Sequence, residues 1–424
     1  MNSSLSFAVV GGGVAGITVA YLLSQKHSVT LFEKNDYLGG HTNTRVVSSG
    51  PDEGTAVDTG FIVCNPQNYP LFYQFLARLH VRLQDSDMSF GYCCPSTDLT
   101  YVGPAISDFV LTPLNFLKPK FLRMLLEQSR FNRRALADLS TGALSGLTLG
   151  EYLKERRVSQ YFQRHYLTPL IASIWSSPDH DVETFPAETF VTFFRNHGML
   201  ELHKRPTWQT VVGGSFQYVK AFLSVFNGKV ELGAPITHVS RDDQGVSVVQ
   251  ANGDASRFDK VVFATHADQA LALLSTPTTE ETRLLSEWRY HKSRAVLHTD
   301  ERVLPQSKRL WASWNYVRRD SDAFGNSGVP ITYYMNRLQN LRTERDYFVT
   351  LNSAPDEIDA RHVLYETEYT HPAYTPRAVA SQSLITQESG HPTTFFCGSY
   401  LGYGFHEDAV RSAVSVAEQF QCSL

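Results

Sequence analysis

A glycine-rich turn near the amino terminus constrains the fold of this sequence more than any other feature. It stands between an apolar run and a helix-like stretch, and a second apolar run follows. The hydrophobic pattern predicts a strand over Leu5 to Val10, a helix over Val14 to Gln25 and a second strand over Ser28 to Phe32. A glycine-rich turn that joins a strand to a helix is the context that a dinucleotide-binding fingerprint requires.

The turn has the spacing G-x-G-x-x-G, which is met by Gly11, Gly13 and Gly16, with Val14 and Ala15 between the last two glycines. The first glycine of this motif permits the tight turn, and the second lets a pyrophosphate approach the backbone. The third allows close packing of the helix on the strand. Because a helix amino terminus also favours phosphate charge, we expect a dinucleotide to bind here.

An acidic residue follows at the distance typical of the motif. Glu33 lies 20 residues beyond Gly13, at the end of the second predicted strand, and Lys34 comes next. A carboxylate at this position accepts hydrogen bonds from ribose hydroxyls. It would also repel a 2′-phosphate, so the dinucleotide is expected to lack one.

A second glycine pair identifies the dinucleotide as FAD. Gly39-Gly40-His41-Thr42 resembles the E-x(5)-G-G extension of the glutathione-reductase-like flavoproteins, counted from Glu33, and a nicotinamide-binding unit needs no such pair. We assign four further residues to the cofactor site: Gly60, Phe61, Ile62 and Val239.

The carboxyl-terminal residues 396–408, FCGSYLGYGFHED, resemble the terminal FAD motif of the flavin amine oxidase superfamily. They join a strand predicted over Thr394 to Cys397 to a helix predicted over Glu407 to Phe420. The resemblance implies that the strand-end glycine approaches the ribityl phosphate and that the helix amino terminus faces the flavin. It assigns to the cofactor Gly398, Phe405, His406 and Glu407. The alternative is a plain loop and a capped helix, with Glu407 and Asp408 serving the helix dipole.

Two histidines lie in these motifs, His41 and His406. Either one could donate a hydrogen bond to the flavin or move a proton, and either one could instead hold a turn. We choose His406 as the candidate catalytic residue because the terminal motif brings its residues nearest the ring.

Motifs from the whole chain resemble one bacterial branch of the flavin amine oxidase-like, FAD/NAD-binding oxidoreductases. They are VDTGFIV (57–63), IWS (174–176), FRNHG (194–198), RPTW (205–208), VGGS (212–215), ATHADQA (264–270) and GFHED (404–408). Members of this branch sit beside, or are fused to, cyclopropane-fatty-acid-synthase-like methyltransferases. The resemblance implies a methylated fatty acyl desaturase acting on phospholipid, with a lipid methyltransferase as a candidate partner.

Four other functions remain open at this point: a flavin amine oxidase, a carotenoid-type desaturase, a redox-neutral double-bond isomerase and a flavin-binding accessory protein. The resemblance to amine oxidases is incomplete. Many of them place a lysine opposite flavin N5, whereas the most similar strand here offers Arg294, with Lys292 as the alternative.

The expected fold is α/β, a glutathione-reductase-like, amine-oxidase-type Rossmann FAD-binding domain with an interleaved α+β substrate domain. The FAD-binding domain is predicted to be discontinuous, and its parts are 1–66, 205–272 and 390–424. The substrate or cap domain is expected at 67–204 and 273–389. Within the middle part, Asn252-Gly253 predicts a hairpin turn between strands at Val246 to Val249 and Lys260 to Ala264.

The substrate domain offers three candidate functional features. The aromatic strand Tyr333-Tyr334-Met335-Asn336 predicts either a tunnel wall or plain core. Trp175 and the turn 195–198 could close the site, although packing is the simpler interpretation for Trp175. The stretch 113–134 carries six basic residues against one acidic residue, Glu127, with apolar residues interleaved. It predicts either a contact with an anionic membrane surface or a solvated basic helix face.

Composition excludes several classes of function. A net charge of −4 gives no reason to expect nucleic acid as a partner. The five cysteines contain no C-x-x-C pair, and the 15 histidines show no metal-ligand spacing, so no metal site is expected. The sequence shows neither a signal peptide nor an apolar run long enough to span a membrane. We therefore expect a cytoplasmic protein, at most peripheral to the inner face of the membrane, that acts on a small-molecule or lipid acyl substrate.

Overall fold

The chain folds into short strands and helices of varied length. The computed structural model describes residues 4–103, 112–175, 181–200, 206–318, 330–388 and 391–424. Within these ranges the strands are β1 (Ser6–Val10), β2 (Ser28–Phe32), β3 (Thr44–Val46), β4 (Ala56–Asp58), β5 (Leu83–Asp85), β6 (Phe90–Cys94), β7 (Leu99–Gly103), β8 (Gln209–Val211), β9 (Lys229–Glu231), β10 (Ile236–Asp242), β11 (Gly245–Gln250), β12 (Ala255–Phe258), β13 (Lys260–Phe263), β14 (Tyr290–His298), β15 (Trp314–Val317), β16 (Ile331–Tyr334), β17 (Phe348–Leu351), β18 (Val363–Pro372) and β19 (Thr394–Phe396). The α-helices are α1 (Val14–Leu23), α2 (Pro70–Arg78), α3 (Pro119–Ser140), α4 (Leu149–Glu155), α5 (Gln160–Phe162), α6 (Thr168–Trp175), α7 (Asp181–Thr184), α8 (Ala187–Asn196), α9 (Phe216–Val225), α10 (Ala267–Leu273), α11 (Thr279–Leu285), α12 (Met335–Leu338), α13 (Pro376–Glu388) and α14 (His406–Glu418).

A five-stranded parallel sheet carries the amino-terminal unit predicted from the sequence. Its strand order is β19-β13-β1-β2-β9, and every neighbouring pair is parallel. Residues 7–10 of β1 are buried, as expected for a strand covered on both faces. Helices α1 and α14 pack against each other through one cluster that includes Ala20 and Ala413. The predicted strand–helix–strand unit and the predicted carboxyl-terminal helix are confirmed.

A separate antiparallel sheet of three strands has the order β10-β11-β12. The turn near Asn252-Gly253 joins β11 to β12. The predicted partner, the strand that begins at Lys260, instead pairs in parallel with β1. The hairpin prediction was therefore wrong in its second strand. The cause is that the short strand β12, with exposed Ala255 and Arg257, has no apolar run to mark it.

A seven-stranded sheet of mixed direction forms the second large layer, in the order β18-β14-β17-β16-β15-β6-β7. The helices between β7 and β8 share one hydrophobic cluster with it, in which Phe131 and Phe190 of the helices join Tyr92 and Val349 of the sheet. The predicted α/β class with an interleaved second region is thereby confirmed.

The strands of the parallel sheet come from all three predicted parts of the FAD-binding domain, and those of the seven-stranded sheet from both predicted parts of the substrate domain. The domain boundaries themselves stay a prediction. Two of them, 204/205 and 389/390, lie outside the described residues, as do Ser176 and Arg205 of the quoted motifs.

Candidate active site

The carboxyl ends of four parallel strands open onto one large cavity. Val10 lies in register with Phe32 and with Phe263, and Phe263 lies in register with Phe396, so β1, β2, β13 and β19 end side by side. Ligands of open parallel sheets bind at this edge. The cavity has a volume of about 1080 Å³. That is at or above the roughly 300–1,000 Å³ typical of small-ligand pockets, and it favours a large cofactor with room for a substrate.

The glycine turn forms part of the cavity wall. Gly11 has φ of +108°, and a Cβ added to Gly16 would lie 1.8 Å from the carbonyl oxygen of Gly11. A Cβ on Gly13 would meet no atom within 4 Å, because that residue faces the cavity. Val14 and Ala15 line the cavity beside it. The third glycine therefore serves packing, and the second leaves space for a ligand.

Glu33 is held at the cavity wall by backbone and side-chain donors. Its Oε2 accepts a hydrogen bond from Gly12 N at 2.7 Å, and its Oε1 accepts from Asn35 N at 2.9 Å and Asn35 Nδ2 at 2.8 Å. A carboxylate has about four acceptor positions, so capacity for ribose hydroxyls remains. Lys34 lines the cavity next to it. The arrangement fits the predicted dinucleotide.

The second glycine pair packs backbone to backbone against the first. Gly39 N donates to Gly12 O at 2.8 Å, and a Cβ on Gly40 would lie 3.3 Å from Gly13 Cα. Further predicted cofactor residues that line the cavity are Gly39, Gly40, His41, Gly60, Phe61 and Ile62. Residues 10–15, 32–41 and 398–399 together make what we call the glycine end of the cavity.

The carboxyl-terminal motif reaches the same cavity. Gly398, Phe405 and His406 line it, and α14 begins at His406. The His406 ring stacks on Phe61 with centroids 3.7 Å apart, and its Nε2 lies 3.1 Å from Thr42 Oγ1. Burial, with a contribution from nearby His41, lowers the pKa of His406 to about 3. The imidazole is therefore neutral at ordinary pH and can hydrogen-bond to a ligand without carrying charge.

Four of the predicted cofactor residues do not line the cavity: Gly16, Thr42, Val239 and Glu407. The Glu407 carboxylate accepts from Leu71 N at 3.1 Å and Phe72 N at 3.0 Å, and so caps the amino terminus of α2. The Thr42 hydroxyl lies 2.5 Å from the hydroxyl of Tyr218, and it also contacts Nε2 of His406. These side chains position the wall rather than form it.

Val239 is placed in the core. It is fully buried on β10 and lies in register with Val248 of β11. Ile236, at the start of the same strand, lines the cavity together with Ala234 and Pro235. The structure therefore places Ile236 of this strand, and not the predicted Val239, on the cavity wall, because packing rather than sequence spacing decides which residue of a strand meets a cavity.

The predicted counterpart of the amine-oxidase lysine is contradicted. Arg294 forms a two-point ion pair with Glu366, at 2.5 and 2.7 Å, and Lys292 pairs with Glu368 at 2.9 Å. Both cations are exposed, and neither lines the cavity. Of the described residues on the cavity wall, Lys34 is the single lysine or arginine, and it lies at the glycine end.

The opposite end of the cavity is built from aromatic and apolar side chains, and we call it the aromatic end. Its wall comes from residues 86–208 together with Trp314 and Tyr333. Among the described lining residues in these ranges there is no aspartate, glutamate, lysine or arginine. Its largest side chains are Phe90, Tyr101, Tyr166, Phe193, Trp208, Trp314 and Tyr333.

Two predictions about this end can now be compared with the structure. Tyr333 lines the cavity, as a tunnel wall requires, whereas Tyr334 hydrogen-bonds to Asp346 on the other side of the strand. Trp175 does not line the cavity. It is buried, and its Nε1 donates to Tyr403 O at 3.1 Å, so packing is the correct interpretation.

His197 was part of a quoted motif but was not chosen as a site residue. It lines the aromatic end, and its ring stacks on Phe193 with centroids 3.8 Å apart. Its Nδ1 lies 2.9 Å from Phe193 O. A carbonyl only accepts, so Nδ1 carries the hydrogen and Nε2 is left as an acceptor. Burial lowers the pKa of His197 to about 4, which keeps the ring neutral.

Sequence reasoning also missed two histidines on the cavity wall, His266 and His371. The ring centroid of His371 lies 5.3 Å from that of His41, although 330 residues separate them. No local sequence pattern predicts a contact between residues so far apart in the chain.

Within the described ranges, no group of three or more histidine, cysteine, aspartate or glutamate side chains is arranged to hold a metal ion.

Comparison with known proteins agrees with the geometry. The sequence pattern of flavin containing amine oxidoreductases matches residues 14–420. An L-amino-acid oxidase from Siganus canaliculatus is 24% identical over 328 residues, which are 73% of this chain and 58% of that protein. The chain thus spans little more than half of that relative's length.

Two solved structures share the fold at low identity. A CLA-producing fatty acid isomerase from P. acnes has a TM-score of 0.70 at 14% identity, and a variant of putrescine oxidase has a TM-score of 0.72 at 14% identity. Each match covers 99% of both chains. The chain belongs to the flavin containing amine oxidoreductase family, a family of oxidoreductases whose cofactor is FAD.

Proposed function

We propose that the protein desaturates a methylated fatty acyl chain of a phospholipid by transferring hydride to flavin N5. One observation carries the proposal: the aromatic end is continuous with the glycine end and has no charged side chain among its described residues. A long hydrocarbon chain can enter such a space without leaving a charge unpaired, whereas an ammonium group there would need a partner. The methyl branch and the methyltransferase partner come from the sequence resemblance.

The reaction breaks two C–H bonds on neighbouring carbons and forms a C=C bond between them. FAD, when bound, would supply the hydride acceptor for both electrons of the first C–H bond. The second hydrogen leaves as a proton, which we assign to Nε2 of His197. That nitrogen is an acceptor at the aromatic end because Nδ1 is engaged by Phe193 O.

The neutral ring of His406 would orient the cofactor rather than exchange a proton with the substrate. Its stacking on Phe61 and its contact with Thr42 hold the ring against the cavity wall. We therefore keep His406 as a proposed cofactor-contacting residue and assign proton transfer to His197. The aromatic walls would limit the access of water to a substrate bound between them.

The shared fold of the fatty acid isomerase supports an acyl substrate and favours a second candidate, redox-neutral movement of a double bond. In that reaction the hydride would return to the same acyl chain, so no electron acceptor is consumed. The shared fold of putrescine oxidase and the sequence similarity to the L-amino-acid oxidase supply the amine alternative.

Anaerobic mixing of the yellow holoprotein with methylated phospholipid tests the proposal, with flavin absorbance as the readout. Desaturation predicts bleaching by methylated phospholipid and little by the matched unmethylated lipid. Bleaching by polyamines or amino acids alone would contradict it. A lipid product with a shifted double bond and no bleaching would establish isomerisation. No change with any of these compounds, together with binding to a methyltransferase, would favour an accessory role.

A further inference from the structure

Half of the large apolar side chains exposed on the described surface lie in one short segment. Of ten such residues, five are Leu114, Phe116, Leu117, Leu122 and Leu126. Leu114 and Leu117 are 72% and 78% exposed. A single exposed leucine needs no explanation, but a cluster marks an interaction site. We call residues 113–134 the apolar–basic face.

Two buried residues fix the backbone of this segment, so its exposed apolar side chains point toward solvent. The segment begins with a 3₁₀ turn, Pro113–Leu117, in which Asn115 is buried and donates from Nδ2 to Thr100 O at 2.6 Å. Phe121 is fully buried and contacts the ring of Tyr101, with centroids 6.3 Å apart. Because the anchors fix the backbone on both sides, the exposed leucines cannot turn into the core.

Basic side chains share the outer face of α3 with the leucines. Each residue of an α-helix is rotated by about 100° from the one before, so Leu122 and Leu126 project from the same quarter of the helix circumference. Arg123, Arg130 and Arg133 project from positions beside them. All three arginines are exposed. The single acid of the segment is used internally, because Glu127 accepts from Ser159 N and Oγ, each at 2.6 Å. The face is therefore positive, although the whole chain has a net charge of −4.

The same helix borders the aromatic end of the cavity. Gln128 of α3 lines the cavity, and its Nε2 donates to the Tyr166 hydroxyl at 2.5 Å. Tyr101 also lines the cavity. One side of α3 thus faces the space assigned to the acyl chain, and the other side carries the exposed leucines and arginines.

We propose that the apolar–basic face docks on a bilayer that contains anionic phospholipid. The leucines and Phe116 would enter the acyl region, and the arginines and Lys120 would contact the phosphates, as amphipathic interfacial helices do. No helix of the described chain is long and apolar enough to cross a bilayer, so the contact would be peripheral. The inference rests on the proposed function, since a phospholipid substrate would have to reach the aromatic end from a membrane.

Vesicle co-sedimentation of the holoprotein tests the docking. We expect binding to vesicles containing phosphatidylglycerol, weaker binding to phosphatidylcholine alone, and release by salt. Arg123→Gln with Arg130→Gln should lower the partition coefficient by about tenfold or more, at roughly 1 kcal/mol per arginine. Leu114→Ser with Leu117→Ser should lower it by at least about tenfold, because two leucines no longer enter the apolar region.

Matched control pairs lie elsewhere on the surface. Leu232→Ser with Leu364→Ser removes two other exposed leucines, and Arg78→Gln with Arg82→Gln removes two other exposed arginines. These pairs should bind vesicles like the unaltered protein. Flavin absorbance and thermal melting check that every variant is folded.

Equal binding of the apolar–basic variants and their controls, or no binding to anionic vesicles, would overturn the docking proposal. It would also be overturned if the leucine variants changed the oligomeric mass in solution without changing vesicle binding, since a second copy would then cover the face. Detergent-dispersed substrate separates docking from catalysis. Bleaching there without vesicle binding removes only the docking, and vesicle binding without bleaching removes only the proposed reaction.

Discussion

The two ends of the cavity are built in opposite ways. The glycine end is mostly backbone, supplied by a few short segments that follow parallel strands. The aromatic end is mostly side chain, and its residues come from β6, β7, α3, α6, α8, β15 and β16. The glycine end depends on positions that have no room for a side chain. The aromatic end depends on side chains that can be exchanged for others.

This difference explains why family membership and substrate are separate questions. Substitution of a close-packed glycine displaces backbone, so the glycine end tolerates little change. Substitution of an aromatic wall residue alters the shape of the cavity while the fold survives. Membership of the family therefore identifies the cofactor, and only the aromatic end can identify the substrate.

The largest expected effect comes from Gly16→Ala. Its Cβ would lie 1.8 Å from Gly11 O, so the turn must move, at a cost of about 3 kcal/mol or more in the free energy of unfolding. Gly13→Ala meets no atom within 4 Å and should leave that free energy nearly unchanged while it weakens FAD binding. Urea unfolding and the flavin-to-protein ratio measure the two effects. Equal destabilisation by both variants would refute the separate roles of the two glycines.

At the aromatic end, His197→Gln should slow flavin bleaching by methylated phospholipid by about 100-fold, the usual size of a general-base effect. FAD content should not change, because the ring of His197 stacks on Phe193 at the aromatic end and forms no part of the glycine end. The rate of the unaltered protein should fall as pH falls through about 4, where protonation removes the acceptor. An unchanged rate in the variant would exclude His197 as the proton acceptor.

Acid should weaken the seven-stranded sheet through His298. This residue is fully buried, accepts at Nδ1 from Asp300 N at 3.1 Å and lies 2.7 Å from Thr350 Oγ1 through Nε2. Burial lowers its pKa to about 4, below the unfolded value, so the unfolded chain binds more protons between about pH 6.5 and 4. Stability is retained above this window and falls within it by up to about 1.4 kcal/mol per pH unit.

Urea unfolding at several pH values measures this dependence. His298→Gln, which cannot be protonated, should give a flatter curve over the same window. A curve as steep as that of the unaltered protein would assign the acid sensitivity to other groups.

The smallest effects are expected from Lys292→Met and Arg294→Met. Both cations form exposed ion pairs outside the cavity, so each change should alter the free energy of unfolding by about 1 kcal/mol or less. Neither should alter flavin bleaching. A large loss of turnover in either variant would revive the amine-oxidase lysine position on β14.

Sequence patterns predicted the glycine end closely and the aromatic end poorly. Gly11, Gly13, Glu33 and Gly40 were predictable because strand, turn and helix are local and each glycine meets a local backbone constraint. The hydrogen bonds of Glu407 to α2 were not predictable, because its partners lie more than 330 residues away in the sequence. The contact of His41 with His371 was not predictable for the same reason, since 330 residues separate them.

Short-range spacing along the chain was enough to predict the FAD-binding turn, the parallel unit around it and the terminal motif, because such spacing dictates backbone geometry. Which residues face the cavity became known from the three-dimensional packing alone. In the folded chain Ile236 rather than Val239 lies on the cavity wall. Arg294 lies at the surface, and His197 lies at the aromatic end. The physical reason is that a cavity wall is a surface shared by many elements, and the direction of each side chain depends on packing between segments far apart in the chain.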